Sequence, residues 1–198
     1  MPTANQPNLL DVDWSKIPAP VDDGGARHLQ GMQVPDVALP ATDGTQVSLA
    51  KVPGRIVVFA YPRTGQPGKI ALVDDWDMIP GARGCTPQTC AFRDLHKMLM
   101  EAGAARVFGL STQDGAYQRE AAERLHLPFP LLSDVQHRTI DAYGLQDPRY
   151  LKQKREGIPY PTAYVIDKAG RVAWTRIDRD HTVRPVNGEI RAALEALR

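Results

Sequence analysis

The amino-acid sequence predicts an α/β fold in which a central mixed sheet is flanked by helices. Short apolar runs typical of strands alternate with stretches of helical periodicity, which is the pattern of strand–helix–strand units. Toward the C-terminus two strand-like runs flank a turn before a last helical stretch, so the sheet also gains antiparallel strands. Apolar residues make up 42% of the chain and charged residues 24%, which indicates a globular rather than a disordered protein.

The chain is predicted to consist of a short arm and one domain. Residues 1–30 are polar and rich in Pro, Gly and Asp, with no period of 2 or 3.6, so we expect an arm that wraps the domain or stays loose. Regular patterning begins at residue 31, and residues 31–198 have the length of one ordinary domain.

A β-hairpin and a central strand are predicted at the start of the domain. The runs Val34–Leu39 and Gln46–Leu49 flank Thr42–Gly44, and an Asp-Gly pair between short apolar runs is a hairpin signal. The continuous apolar run Arg55–Tyr61, ended by Pro62, predicts a strand buried on both faces.

An irregular stretch and a long helix come next. Residues 63–84 show no regular period and are too long for an ordinary loop, and loops of this size are often functional. A helix is predicted from Cys85 to about Ala102, because apolar residues recur there at helical spacing, and Gly103 suits its end. The recurring residues are Phe92, Leu95, Met98 and Leu99.

The remaining elements alternate in the same way. Strands, helices and a second hairpin are predicted, in chain order, at Arg106–Leu110 (strand), Gly115–Leu127 (helix), Leu131–Ser133 (strand), Gln136–Tyr143 (helix), Thr162–Ile166 and Val172–Thr175 (hairpin strands around Asp167–Gly170), and Glu189–Leu197 (helix).

The charge balance argues against two classes of partner. Lys and Arg total 24 and Asp and Glu total 23, so the net charge of +1 gives no support to a nucleic-acid or membrane-surface interaction. No apolar window reaches the length of a transmembrane helix. The first residues lack the basic and apolar regions of a secretory signal, so we expect a cytoplasmic protein. Two cysteines are too few for a disulfide scaffold.

The most informative residue is Cys85, at the first turn of the predicted long helix. A thiolate there meets free backbone N–H groups and the positive end of the helix dipole. Arg83 and Arg93 are close in sequence and add positive charge. We therefore expect the pKa of Cys85 to fall below the free value of about 8.5, which would make the thiol nucleophilic at neutral pH.

The second cysteine, Cys90, lies five residues further along the same helix. In an intact helix this spacing sets the two Cα atoms about 8.7 Å apart, whereas a disulfide needs them within about 7 Å. If the two cysteines react, the first turn must unwind, and several of its residues are poor helix stabilisers. These are Gly84, Thr86, Pro87 and Thr89. The sequence thus predicts a two-state site, reduced with the helix formed and oxidised with its start melted.

Other readings of the cysteine pair remain open at this point. Free cysteines are commonly buried as small hydrophobic residues. Two thiols with His96 supply three zinc ligands, whereas tetrahedral structural sites need four. A thioredoxin-type redox pair has two intervening residues, and here there are four.

Five motifs then follow one another in a recognisable order. They are Val57–Pro62, Pro80–Asp94, Phe108–Thr112, Leu131–Asp134 and Tyr164–Asp167. Over roughly residues 31–198 the chain resembles a peroxiredoxin of the bacterioferritin-comigratory, or Q, type. The Cys-x4-Cys-x-Phe-Arg-Asp part is the specific element of this resemblance, and the order of the other motifs supports it.

The resemblance implies a thioredoxin-like fold and a thiol peroxidase activity. It implies that Cys85 is the peroxidatic cysteine, which attacks the O–O bond and becomes a sulfenic acid, and that Cys90 resolves this acid as an intramolecular disulfide. Thioredoxin or a similar dithiol reductant would restore both thiols. Hydrogen peroxide and organic hydroperoxides would be substrates, no metal, haem or flavin cofactor would be needed, and the protein would be a monomer.

The sequence departs from the family in the segment before Cys85. The family pattern has Pro, three residues, Thr or Ser, and two residues before the peroxidatic cysteine. The residues at the two motif places are Met78 and Ala82. We infer an insertion of about 16 residues near 66–83. Pro62 would then shield the thiolate and Thr64 would hydrogen-bond the peroxide, with Thr86 as the alternative.

A second departure concerns the arginine that the family places just before the strand Tyr164–Asp167. Pro161 occupies that position, so the guanidinium must come from elsewhere in the chain. Arg155 is taken as the site residue, and the alternatives are Arg93, Arg176 and Arg184. Pro161 also stands where thioredoxin-like folds carry a cis-proline.

Two further functions stay open beside the peroxidase. The first is a disulfide oxidoreductase on the same fold, against which the four-residue Cys spacing counts. The second is a non-catalytic redox-sensing module, which the missing Thr and Arg at their family positions keep open.

Overall fold

The fold of residues 24–68, 85–145, 162–177 and 187–198 is described by a computed structural model. All seven strands and four helices that the sequence predicts are present in these parts of the chain. The strands are β1 (Ala38–Pro40), β2 (Gln46–Ser48), β3 (Ile56–Ala60), β4 (Arg106–Ser111), β5 (Leu131–Ser133), β6 (Thr162–Ile166) and β7 (Val172–Ile177). The helices are α1 (Cys85–Glu101), α2 (Gly115–Arg124), α3 (Arg138–Ala142) and α4 (Asn187–Ala196).

Five of the strands form one mixed sheet in the order β5-β4-β3-β6-β7. Strand β3 pairs in parallel with β4, and β4 in parallel with β5, whereas β6 and β7 join as antiparallel strands. Strands β1 and β2 form a separate antiparallel hairpin. The predicted mixed sheet with helices on its faces is therefore confirmed, and the architecture is thioredoxin-like.

Strand β3 lies at the centre of the sheet, as its continuous apolar run predicts. All five of its residues are completely buried, because strands flank it on both sides and both faces of the sheet are covered. One face packs against the β1–β2 hairpin and α3. The other face packs against α1 and α4, where the ring of Phe59 stacks on that of Phe92 with their centroids 4.1 Å apart.

Several element boundaries differ from the sequence prediction, and three of these differences have identifiable reasons. The first strand starts at Ala38, because the N–H of Val34 donates to Gly170 O in the turn between β6 and β7. Helix α2 ends before His126, whose φ of 51° is left-handed. Helix α3 begins only after His137, which also has a left-handed φ of 57°.

The described part of the predicted arm packs against the domain. Leu29, in a short 3-10 helix at Arg27–Leu29, is completely buried in the core on the hairpin side of the sheet. The N–H of Gly31 donates to Val172 O of β7 at 2.7 Å. Residues 24–30 therefore wrap the sheet edge. In the described ranges, no helix combines the length and the apolar character that crossing a bilayer requires.

The tight packing of β4 gives a stability prediction. A Cβ added at Gly109 would lie 2.5 Å from Leu131 Cδ2 and 3.0 Å from Phe59 Cζ, and both side chains are buried. We expect Gly109→Ala to lower the free energy of unfolding by about 1–3 kcal/mol, because overpacking a core forces neighbours out of place. Denaturant unfolding measures this change. Gly188→Ala is the control, since its added Cβ meets nothing within 4 Å; equal stability of the two variants would contradict the prediction.

Candidate active site

The sequence-predicted thiol, Cys85, lies where the first turn of α1 meets the chain that leaves β3. After β3 ends at Ala60, the chain continues into Pro62–Gly65, here called the site loop. The backbone N–H of Arg63 points at Cys85 Sγ, with an N···S distance of 3.5 Å. The N–H of Gly65 donates to Thr86 Oγ1 at 3.2 Å. The first turn of α1 and the site loop are thus joined through both backbone and side-chain atoms.

The opposite side of the site loop is held by the segment that leads into α2 and by α2 itself. Gln113 Oε1 accepts from the N–H of Thr64 at 2.9 Å, and Gln113 Nε2 donates to Thr64 O at 3.3 Å. Tyr117 Oη also donates to Thr64 O, at 3.1 Å, and Arg124 Nη2 donates to Gly65 O at 2.8 Å. The N–H and C=O of Thr64 and the C=O of Gly65 thereby all have hydrogen-bond partners on this side of the loop.

The electrostatics of Cys85 contradict the expectation of a lowered pKa. The residue is completely buried among apolar and aromatic side chains, and this burial raises the pKa of the Cys85 thiol to about 12. The backbone N–H groups of Arg63 and of Cys85 itself lower this pKa, but burial outweighs them. A helix start stabilises a thiolate only when water or hydrogen-bond donors also solvate the sulfur. Here the surroundings of the sulfur are apolar, and the cost of desolvation is larger than the stabilisation by the helix start.

Cys90 is half-buried on the same helix, and both cysteines are free thiols. Helix α1 is intact from Cys85 through Cys90, and Thr89 Oγ1 donates to Cys85 O at 2.8 Å within its first turn. Burial raises the pKa of Cys90, while the guanidinium groups of Arg93 and Arg124 oppose the rise. This is the reduced, helix-formed geometry, in which five-residue spacing keeps the two Cα atoms too far apart to bridge.

Pro62 and Thr64, which the sequence places at the site, are both in the site loop and buried. The carbonyl of Pro62 accepts from Ser111 Oγ at 3.2 Å. Thr64 Oγ1 donates to Gln113 Oε1 at 3.2 Å, so its proton is already engaged and its oxygen is left to accept from a peroxide O–H. Shielding by Pro62 and peroxide binding by Thr64 stay predictions.

The structure narrows the choice of arginine. Arg93 pairs with Asp94 at 2.9 Å and donates to Leu125 O, and its charge bears on Cys90. Arg176 pairs with Glu189 of α4. Within the described residues, neither guanidinium is among the groups that shift the pKa of Cys85. Arg155, Arg184, Pro161 and the insertion beyond residue 68 lie outside the described residues.

Sequence reasoning missed the polar residues of the α2 side. Gln118 Oε1 accepts from Tyr61 Oη at 2.8 Å, and Gln118 Nε2 donates to Gln113 O at 3.0 Å, in both cases within the core. The parallel pairing of β3 and β4 was a usable signal, because residues that follow parallel strands gather at one sheet edge. Gln113 follows β4 by two residues, as Arg63 follows β3 by three.

No metal centre competes with this assignment in the described ranges, where no group of three or more His, Cys, Asp and Glu is placed to hold an ion. His96, the candidate third ligand, lies on α1 with its ring centroid 5.9 Å from that of Phe129. This packing fits a structural role for the imidazole.

Comparison with known proteins agrees with the fold. A model of the Redoxin family matches residues 29–190. Rice (Oryza sativa subsp. japonica) chloroplastic peroxiredoxin Q is 34% identical over 146 residues, which cover 73% of this chain and 57% of the rice protein. A putative peroxiredoxin bcp from Coxiella burnetii is 28% identical and covered over 97% of its length. The crystal structure of peroxidoxin BcpB from Mycobacterium tuberculosis superposes with a TM-score of 0.64 at 27% identity, covering 85% of this chain and 97% of that one.

The class of protein follows from these matches: the chain belongs to the Redoxin family, and the relatives that it resembles are peroxiredoxins of the bacterioferritin-comigratory, or Q, type. The chain spans little more than half the length of the rice relatives, so their activity is carried over below as a proposal.

The raised pKa of Cys85 predicts how stability depends on pH. The thiol is protonated in the fold up to about pH 12, whereas in the unfolded chain it ionises near pH 8.5. The contribution of the protonated thiol is therefore complete below about pH 8.5 and is lost as pH rises toward 12. We expect the difference in unfolding free energy between the reduced protein and Cys85→Ser to shrink by about 2 kcal/mol by pH 10.

Denaturant unfolding at pH 7, 8.5 and 10 under reducing conditions measures this difference. A difference that grows with pH would show instead that the fold holds Cys85 as a thiolate, as the sequence alone suggests.

Proposed function

We propose that this protein is a thiol peroxidase that reduces hydrogen peroxide and organic hydroperoxides through Cys85. The observation that carries the proposal is the position of Cys85 Sγ, at the start of α1 and facing the Arg63 N–H, with Cys90 five residues further along the helix. Membership of the Redoxin family and similarity to proteins named peroxiredoxin support it.

The proposed cycle has three steps. The Cys85 thiolate attacks the terminal oxygen of the peroxide, the O–O bond breaks, and the leaving alkoxide or hydroxide takes a proton to become an alcohol or water. Cys85 is then a sulfenic acid. Cys90 attacks its sulfur, releases water and forms the Cys85–Cys90 disulfide, which an external dithiol reduces back to two thiols while becoming oxidised itself.

The first step needs a source of positive charge or hydration at Cys85. Within the described residues burial keeps this thiol protonated, so the Arg63 N–H alone does not supply enough stabilisation for a thiolate at neutral pH. We propose that the guanidinium of Arg155 completes the site by stabilising the thiolate as it forms from the protonated resting thiol when the peroxide binds. Pro62 would shield the sulfur and Thr64 would accept a hydrogen bond from the peroxide, as the family motif implies.

The second step needs the start of α1 to melt. Melting breaks the backbone hydrogen bonds of the first helical turn. Three further hydrogen bonds break with them: from Arg63 N–H to Cys85 Sγ, from Gly65 N–H to Thr86 Oγ1, and from Thr89 Oγ1 to Cys85 O. None of these is a bond between two charged groups, and each is worth only about 1 kcal/mol net. Local unwinding is therefore accessible without unfolding the domain.

The reductant, the cellular location, the oligomeric state, the partners and the domain bounds of the protein are proposed on the same basis. Thioredoxin or a similar dithiol is the proposed reductant, and the protein acts as a cytoplasmic monomer without a cofactor. The net charge of +1 supports the absence of nucleic-acid and membrane partners. We propose residues 31–198 as the peroxiredoxin domain and residues 1–30 as its arm.

Cysteine variants test the function directly. We expect Cys85→Ser to abolish peroxide consumption with a dithiol reductant, because the attacking sulfur is lost. Cys90→Ser should reduce one equivalent of peroxide and then stall, since the sulfenic acid has no resolving partner.

Peroxide consumption assays and mass spectrometry after one equivalent of hydrogen peroxide provide the measurements. The wild-type protein should lose two hydrogens as an intramolecular disulfide forms. Full turnover by Cys85→Ser, or peroxide consumption without any Cys85–Cys90 bridge, would contradict the proposed cycle. Insulin reduction without peroxide consumption would favour a disulfide oxidoreductase.

A further inference from the structure

A buried amide on the α2 side of the site has no part in the cycle above. Gln113 lies two residues after β4 and is 7% exposed. Among the described residues its side chain makes three hydrogen bonds, and all three go to one residue, Thr64. Burying a glutamine in this way is costly unless its amide is fully used, so the arrangement indicates a specific positioning task.

The hydrogen bonds fix both ends of the Thr64 backbone. The amide oxygen of Gln113 accepts from the N–H and the hydroxyl of Thr64, and the amide nitrogen donates to the Thr64 carbonyl. If the amide were flipped, its NH2 group would face the Thr64 N–H and its oxygen would face the Thr64 carbonyl. Neither of these contacts can form a hydrogen bond, so the orientation of the amide is determined. The peptide that joins Arg63 to Thr64 is thereby held in one orientation, next to the N–H that faces Cys85.

Gln113 is itself anchored within the core. Its backbone carbonyl accepts from Gln118 Nε2 at 3.0 Å, and Gln118 also accepts from Tyr61 Oη. Tyr61 immediately precedes the site loop. The two glutamines therefore connect the start of the site loop to Thr64 without using any residue of α1.

We propose that Gln113 is a positioning residue of the active site, which keeps the Arg63 N–H and the Thr64 hydroxyl in place both when Cys85 is seated and when the start of α1 has melted. This inference rests on the proposed peroxidase function. It divides the site into a moving half, which is the first turn of α1, and a fixed half, which is the site loop held from α2. Cys85 returns after each reduction to a loop that has not moved.

Two substitutions of Gln113 test this role. Gln113→Met removes all three hydrogen bonds at nearly constant volume, and Gln113→Glu keeps the acceptor but removes the donor and places a carboxylate against the Thr64 carbonyl. Both are made in the Cys90→Ser protein, so that Cys85 is the only thiol. The control is Gln46→Glu, which makes the same charge change at an exposed position on β2, in a surface cavity that Arg106 at the start of β4 also lines.

The measurements are the rate of the single reaction with hydrogen peroxide and the pH profile of Cys85 alkylation by iodoacetamide. We expect each Gln113 variant to lose at least tenfold in the peroxide rate at pH 7.5 and to shift the alkylation profile to higher pH by at least half a unit. Gln46→Glu should match its parent in both. If Gln113→Met does not fold, Gln113→Glu decides the question.

A merely structural role would lower the melting temperature of the Gln113 variants but leave the peroxide rate and the alkylation profile of the folded protein unchanged, and that result would overturn the proposal. The outcome is separable from the peroxidase proposal. If the parent protein does not consume peroxide, the proposed function fails, while the alkylation profile still shows whether Gln113 positions the site loop at Cys85.

Discussion

The contact between the Cys85 sulfur and the site loop is the constraint around which the site is arranged. The Cys85 sulfur must lie close enough to Arg63 to accept a hydrogen bond from its N–H, and in this position the sulfur is excluded from water. Burial and hydrogen-bond donation then have opposite effects on the thiolate. In the described part of the site burial prevails, because the apolar surroundings penalise a thiolate more than the backbone N–H groups of Arg63 and Cys85 stabilise it. The reactivity of Cys85 therefore depends on groups other than the site loop that approach its sulfur.

The two sides of the site loop differ in how they are held, and the difference suits a cysteine that must leave and return. Toward α1 the loop is held by single hydrogen bonds to Cys85 and Thr86, at the first turn of a helix whose early residues stabilise it poorly. Toward α2 it is held by a buried network of amides and hydroxyls, which is costly to break because each freed group would stay without a partner. Motion is thus confined to the α1 side.

The elements of the fold were predictable because each carried its own local pattern. The run before Pro62 is buried on both faces, and the apolar residues of α1 do form its core side, since Phe92 and Leu99 are completely buried. Some element boundaries differ from the prediction because distant residues make contact, as where the N–H of Val34 donates to Gly170 O. Others differ because a residue such as His137 has a left-handed backbone, which its propensity alone does not reveal.

Within the site, the sequence by itself determined which two cysteines are involved and which helix carries them. It also determined the spacing that prevents a disulfide while that helix is intact. These features depend only on residue order and helix geometry. Only the tertiary structure decided that Cys85 is sealed from water and that Gln113, a residue 28 positions away in the chain, supports the loop facing it. Burial and hydrogen-bond partners arise from elements brought together by the sheet, and no local pattern records which distant residues will meet.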